Sequence, residues 1–281
     1  MISVLVPTRN EEQDLPDCLR SVAWSDDVHV YDSYSDDRTA SIAEQFGARI
    51  IRRPDQARGL PFGGNEAEHR NWALRHISFK YPWVFHLDAD ERVTPELRLQ
   101  LAAVAADPGA SAGFRVQRRD FLFGTWLRHA QASPYYIRLF RPERTRYERL
   151  INPLTLVDGA VGQVAGYLDH FPFSKGVAHW VGKHNHYSTL EALQIVASRA
   201  QRRQHSPWRG LWSGDFHERR AAQKELFYRL PARPLLKFLL LYILKRGFLD
   251  GRAGLTYARM QSMYEYLIVL KTRELAAARS P

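Results

Sequence analysis

The chain has 281 residues, 45% hydrophobic and 25% charged. That is globular composition with length for one large domain or two, which excludes disordered, collagen-like and coiled-coil classes. The net charge of +10 is local, since residues 199 to 246 carry 12 Lys/Arg against 3 Asp/Glu while residues 1 to 198 carry 23 against 24, and this argues against a nucleic-acid footprint spread over the whole fold.

The first hundred residues alternate short β-rich runs with helical periodicity. Ile2 to Val6 reads as a strand, and Leu15, Cys18, Leu19 and Val22 recur at i, i+3, i+4, i+7. No basic region precedes Ile2, so no secretory leader is expected and the catalytic part is expected in the cytoplasm. The lone Cys18 excludes a disulfide scaffold and a cysteine zinc site. Val28 to Tyr31 predicts a second strand, Ile42, Ala43 and Phe46 a helix closed by Gly47, and Ala48 to Ile51 a third strand. A Pro/Gly-rich loop from Pro54 to Gly64, a helix from about Asn65 to Phe79 and a strand from Trp83 to Leu87 follow. This order predicts an α/β fold on a mainly parallel sheet, with ligands beyond the carboxyl ends of its strands.

After a helix near Thr94 to Ala106, strand candidates at Phe114 to Gln117, Tyr135 to Phe140 and Thr155 to Val157 predict an antiparallel add-on to the sheet. A long helical stretch starts near Lys175, and residues 215 to 277 read as helical, with Pro231 and Pro234 opening one segment and Gly251 and Gly254 breaking another. The expected organisation is a donor half over 1–105, an acceptor part over 106–205 and a basic helical extension over 206–281. Leu235 to Leu244 is the most apolar stretch, but it has ten residues and is interrupted by Lys237, against the roughly 20 that span a bilayer. It reads either as a buried helix or as an interfacial one, with Lys245, Arg246 and the surrounding Trp208, Trp212, Phe216, Phe227 and Tyr228 meeting anionic headgroups.

Three polar motifs fall at predicted strand ends: Val6-Pro7-Thr8-Arg9-Asn10-Glu11-Glu12, Tyr31-Asp32-Ser33-Tyr34-Ser35-Asp36-Asp37, and His86-Leu87-Asp88-Ala89-Asp90-Glu91. Two carboxylates one residue apart can hold a hard divalent cation and a ribose hydroxyl or second-shell water. Asn10 and Ser35 are also good helix N-caps, and Asp-x-Asp alone is a weak pattern. The chain has no Gly-x-Gly-x-x-Gly motif and no Gly-Lys-Ser/Thr phosphate loop, which counts against dinucleotide and P-loop enzymes.

Taken together, the three motifs resemble the family 2 glycosyltransferases of GT-A fold, in the branch that builds lipopolysaccharide cores and related surface glycans. His69-Arg70-Asn71-Trp72-Ala73-Leu74 resembles a further element of that branch, and Lys183 to Ser188 is moderately similar. The resemblance implies Pro7, Thr8, Asn10 and Glu11 along the base and ribose, Asp32 on the base, and Arg70 facing the base or diphosphate. It implies Asp88 and Ala89 at the ribose or at metal-bound water, and Asp90 with His170 as ligands of Mn²⁺ or Mg²⁺. The implied partners are a nucleotide-diphospho-sugar, a UDP-sugar by expectation, and a lipid-linked or surface-glycan acceptor at an anionic membrane surface.

The sequence departs from the family at Tyr34, where a glycine is usual and positive φ is expected. Aligned on Val157-Asp158-Gly159, the relatives' acid falls on Pro153, which leaves the catalytic base open. Asp158 is the expected base, with Asp120 and Glu148 behind it. A polyprenyl-phosphate acceptor needs no protein base and is the alternative transferase reading. A non-catalytic module binding nucleic acid or anionic membrane is the alternative of another class.

Overall fold

The computed structural model describes residues 1–56, 60–131, 133–148, 153–201, 226–228 and 230–278. The chain divides into two compact units, Met1–Phe121 with Ser133–Ser174, and Leu122–Ala132 with Lys175–Pro281. The extension expected from 206 begins outside the described residues.

The first unit begins with the expected alternation: β1 (Ser3–Thr8), α1 (Leu15–Ser21), β2 (Val28–Asp32), α2 (Thr39–Gln45), β3 (Arg49–Ile51), α3 (Glu66–His76) and β4 (Val84–His86). β1 is buried along its whole length and runs parallel to β2 and β4, as a central parallel strand must when helices cover both faces. Its side chains alternate between two cores. Val4 and Val6 pack with Leu15, Cys18 and Leu19 of α1 and with Ile42 of α2, whereas Leu5 packs with Ala67, Ala73 and Ile77 on the α3 side.

β5 (Glu91–Val93) leads into α4 (Pro95–Ala106). Thr94 caps α4, its hydroxyl accepting from Leu97 N at 3.2 Å, and Pro95 gives up no hydrogen bond in the first turn. Leu97 and Leu101, one turn apart, enter the first core, and burying each contributes about 1.5–3 kcal/mol.

The remaining strands are β6 (Ser111–Leu122), β7 (Thr125–Trp126, in the second unit), β8 (Tyr135–Phe140), β9 (Thr145–Glu148), β10 (Leu154–Val157) and β11 (Ala160–His170). Strand order across the sheet is β3-β2-β1-β4-β8-β6-β11-β5. β8 is antiparallel to both β4 and β6, as expected of an add-on. Two expectations are corrected. β10, which covers Thr155 to Val157, pairs only with β9 in a separate two-stranded sheet, because its partner is the strand just before it in the chain. β11, which the strand reading did not single out, runs parallel to β6 and antiparallel to β5.

The second unit contains α5 (Gly176–Gln201), α6 (Arg233–Leu239), a π-helical turn over Leu240–Leu244, a 3₁₀ turn over Gly247–Asp250, and α7 (Gly251–Ala277). The segment 183–188 lies in α5 and serves the packing on α7: His184 meets the Tyr264 ring edge-on at 4.9 Å, and Lys271 donates to the Asn185 side chain at 2.7 Å. Arg233 and Glu265 form a buried ion pair between α6 and α7. Asp250 accepts from the backbone N–H groups of His129 and Ala130 at 2.9 and 2.7 Å, which ties the 122–132 excursion to the start of α7.

Gly254 does not break its helix, which runs unbroken for 27 residues. A Cβ there would lie 2.0 Å from the Gly247 carbonyl oxygen, so the glycine is required by close approach of the preceding turn.

Candidate active site

The site builds up from the register of the parallel strands. β1 ends at Thr8 opposite Asp32, the last residue of β2, and β4 ends at His86 just before Asp88. All three motifs therefore leave the sheet at the carboxyl ends of neighbouring parallel strands.

The first two loops are laced together. Arg9 donates to the carbonyl oxygens of Ser33 (2.6 Å) and Tyr34, Asn10 N donates to Ser35 Oγ at 2.9 Å, and Glu11 N donates to Thr39 Oγ1 at 2.8 Å. Asn10 and Tyr34 both adopt φ of 56°. The left-handed conformation expected at the family's glycine is thus adopted by a tyrosine, whose hydroxyl donates to Arg53 O at 3.0 Å.

Pro7 and Thr8 are buried at the end of β1, Glu11 is half-buried and Asn10 exposed. Asp32, expected on the base, is turned inward and has no exposed surface. Its carboxylate is taken up by Arg52 Nε at 2.8 Å, Thr8 Oγ1 at 3.3 Å and Ser35 N at 3.2 Å, so it fixes the loop rather than presenting oxygen to a ligand.

Asp88 lies in a charged cluster. Arg138 Nη2, on β8, donates to Asp88 at 2.7 Å and to Glu91 at 2.5 Å, and Arg70, on α3, approaches Asp88 at 3.5 Å while paired with Glu66. Burial penalises the Asp88 carboxylate, but Arg138, His86 and Arg70 outweigh it and hold its pKa well below the usual range. Glu91 is more deeply buried, and its pKa is raised by that burial. Ala89 is buried, and its carbonyl accepts from Arg92 at 2.8 Å.

His86 Nε2 meets Asp88 at 3.3 Å and Nδ1 meets the Tyr147 hydroxyl at 2.6 Å. Burial first, then repulsion from Arg70, pushes His86 down to about 3, so the neutral ring donates to Asp88 and accepts from Tyr147. His69, stacked on Tyr31 at 3.9 Å, is likewise held near 3 by burial and by Arg70, and neither of its ring nitrogens has a hydrogen-bond partner among the described residues.

Between pH 6.5 and 3 the unfolded chain would protonate these two histidines and the folded chain would not. Stability should therefore fall as pH drops through that window. Urea midpoints at pH 7.5 and 5 check this, and His69→Phe, which keeps the stack, should make the decline shallower; an unchanged decline would be the contrary result.

Asp90 and His170, 80 positions apart in the chain, are brought together because β11 pairs antiparallel with β5, with His170 opposite Glu91. His170 Nε2 lies 3.2 Å from Asp90 Oδ2, and Nδ1 bonds the Asp120 carboxylate. Burial opposes a charge on His170, but Asp90 and Asp120 outweigh it and raise its pKa to about 9. Asp88 and Asp90 are about a third exposed, whereas Asp32, Glu91 and Asp120 are buried, so the first two are the carboxylates that can meet a ligand.

The residues fit a divalent cation. His170 Nε2 and Asp90 Oδ2, 3.2 Å apart, are spaced like adjacent ligands of a six-coordinate ion with bonds of about 2.1 Å, and the ion would displace the Nε2 proton that the pair shares here. Asp120 on the far nitrogen orients the ring as second-shell carboxylates do. Among the described residues there is no group of three or more His, Cys, Asp and Glu that could hold a metal ion.

Asp158 is not brought to this pair. It is exposed at the Ala160 end of β11, its N–H donating to Arg144 O, whereas Asp120 and His170 are at the other end. The β6 rise from Ser111 to Asp120 makes that about 30 Å. Of the fallback candidates, Asp120 touches His170, whereas Glu148, next to Tyr147 in β9, is exposed and paired with Arg146 at 3.0 Å. The segment 149–152 lies outside the described residues. The roles of Tyr147 and Arg52 had no sequence signal, since each depends on tertiary pairing across 61 and 20 positions.

The sequence model described as glycosyl transferase family 2 matches residues 3–168. The lipopolysaccharide core biosynthesis glycosyltransferase LpsC of Rhizobium meliloti (strain 1021) is 28% identical over 287 aligned residues, covering 99% of this chain and 94% of that protein. An uncharacterized glycosyltransferase of Rickettsia typhi is 23% identical, covering 98% and 87%. Among solved structures, S. aureus TarS 1-349 in complex with UDP has a TM-score of 0.42 at 16% identity, covering 94% of this chain and 90% of that one. Glucosyl-3-phosphoglycerate synthase from Mycobacterium tuberculosis, in complex with Mn²⁺, UDP-glucose and phosphoglyceric acid, has a TM-score of 0.36 at 24% identity, covering 42% and 44%.

Proposed function

The chain belongs to glycosyl transferase family 2, and from that premise, with its helix-flanked mixed sheet as the GT-A fold, we propose a metal-dependent inverting enzyme that takes its sugar from a nucleotide-diphospho-sugar, a UDP-sugar. The acceptor is a lipid-linked intermediate of lipopolysaccharide core or a related surface glycan, met at the cytoplasmic face of the membrane. The full-length similarity to a protein named for lipopolysaccharide core biosynthesis supports this acceptor class.

The observation that carries the reading is the pair of partly exposed carboxylates, Asp88 and Asp90, with His170 3.2 Å from the second. Asp90 and His170 would hold Mn²⁺ or Mg²⁺, which supplies electrostatic stabilisation of the charge developing on the leaving nucleotide diphosphate. Asp88, ionised and anchored by Arg138, would accept from a ribose hydroxyl or a bound water. Arg70 would offer its guanidinium to the base or diphosphate. The loops after β1 and β2, with Pro7, Thr8, Asn10 and Glu11, would set the walls against base and ribose, and Asp32 would hold those loops in place from beneath. Asp120 would hold the His170 ring in place.

With Asp158 about 30 Å away, no acid is assigned to take the acceptor proton, which favours a polyprenyl-phosphate acceptor as the second reading, since a phosphate oxygen needs no base. Replacing Asp120 and Glu148 singly separates the two acceptor classes: loss of transfer to a sugar hydroxyl, with donor binding retained, supports the first.

The direct test is thermal stabilisation by UDP, GDP, dTDP and CMP, each with and without Mn²⁺. A nucleotide near 100 Kd should add about 2.7 kcal/mol. The expected result is a metal-dependent shift with UDP alone. A shift with another base corrects the donor, and no shift from any nucleotide rejects the donor site.

A further inference from the structure

The most apolar stretch of the chain, Leu235 to Leu244, is exposed along one side. Leu235 and Leu239 of α6 are 57% and 42% exposed, Ile243 and Leu244 of the π-helical turn 54% and 76%, and Phe248 and Leu249 of the next turn 47% and 56%. Leu235, Leu239 and Ile243 fall at i, i+4 and i+8, so they project as one row with Leu244 beside its end, while the opposite side of the same segment is fixed inward by buried Leu241 and by the Arg233–Glu265 pair. Burying this row from water is worth too much for a soluble surface to leave it idle.

Charge decides between possible occupants. Between Leu230 and Leu249 the sequence has four Lys/Arg and no Asp or Glu. Lys245 and Arg246 stand exposed at the end of the π-helical turn, and Arg252 stands exposed just inside α7. The next acid, Asp250, is buried and engaged by His129 and Ala130. A protein interface core depletes lysine, whereas an aliphatic row beside exposed cations matches the boundary between acyl chains and anionic headgroups. The ten residues from Leu235 to Leu244 rise about 15 Å as a helix, half of the roughly 30 Å hydrocarbon core, and no helix among the described residues is long and apolar enough to cross a membrane.

We propose that the face formed by α6, the π-helical turn and the 3₁₀ turn is a monotopic docking surface for anionic lipid, with the six apolar side chains entering the headgroup–acyl boundary and Lys245, Arg246 and Arg252 pairing with lipid phosphates. It deepens the membrane part of the reading above by assigning the surface, and it does not depend on the donor site. The sequence expectation of Trp208, Trp212 and Phe216 as headgroup anchors falls outside the described residues.

Co-sedimentation of the full chain with vesicles tests it, using phosphatidylcholine alone and phosphatidylcholine mixed equally with phosphatidylglycerol. The full chain should bind the anionic vesicles and lose binding as salt rises. The double variant Lys245→Gln/Arg246→Asn, with asparagine chosen because Arg246 has φ of 59°, should weaken anionic binding about 30-fold. The double variant Ile243→Ser/Leu244→Ser should weaken it at least about tenfold. All four positions are exposed, and unchanged thermal midpoints establish that both variants fold. If both variants sediment like the parent, the assignment is overturned. It is overturned equally if the parent ignores vesicles and forms a dimer that Ile243→Ser/Leu244→Ser splits, since the row would then serve a second copy. The UDP response is measured on every variant: lost vesicle binding with an intact UDP shift supports the docking surface, and vesicle binding without any UDP shift in the parent leaves the surface standing while rejecting the donor reading.

Discussion

Asp90→Asn should reduce sugar transfer by at least about a hundredfold and remove the metal-dependent part of UDP stabilisation. The substitution keeps the shape and deletes the charge. Metal stabilisation of a leaving diphosphate is worth several kcal/mol, and each 1.36 kcal/mol is tenfold in rate. Asp90 is one of two partly exposed carboxylates in the cluster, and the carboxylate facing His170 Nε2. Isothermal titration with Mn²⁺ in the presence of UDP reads the loss without relying on turnover. A variant that retains both metal-dependent UDP binding and transfer would place the cation elsewhere.

The largest stability effect is expected at Arg138. Its guanidinium joins Asp88 at 2.7 Å and Glu91 at 2.5 Å in a buried position, and it is the nearest cation to the buried Glu91, with Arg118 next at 3.9 Å. Arg138→Met should cost about 3–5 kcal/mol, because removing one member of a buried ionic group strands the others. The double variant Arg138→Met/Glu91→Gln should recover a substantial part of it. Urea unfolding of the parent, both single variants and the double gives the coupling directly. Additive losses would mean that Arg138 acts through packing against Tyr136 alone.

The donor half was legible because its instructions are local. Val4, Leu5 and Val6 alternate toward two cores, Thr94 and Pro95 mark the start of α4, and each polar motif directly follows its own strand. Asp90 and His170 were legible only as separate residues; what joins them is the β11–β5 register, and periodicity within either segment carries no information about pairing. The Asp158 expectation failed for the same reason. Its place just before β11 is local, but the direction in which β11 then runs, alongside β6, carries the strand away from it and toward Asp120. Gly254 was read by propensity as a helix break, and the tight approach of the Gly247 carbonyl overrode that preference. Arg138 lies 50 positions from Asp88 in the chain, and the antiparallel pairing of β8 with β4 is what brings the two together.

Tyr34 bears on the timing of events at the donor loop. A tyrosine at φ of 56° carries a cost of about 1–3 kcal/mol that a glycine would avoid, and it is held by the bond to Arg53 O, the Arg52 guanidinium over its ring and the Arg9 bond to its carbonyl. The loop's freedom is therefore surrendered when the chain folds and not when nucleotide arrives. Donor association should accordingly be a single second-order phase, its observed rate rising linearly with nucleotide concentration and showing no plateau from a preceding loop closure.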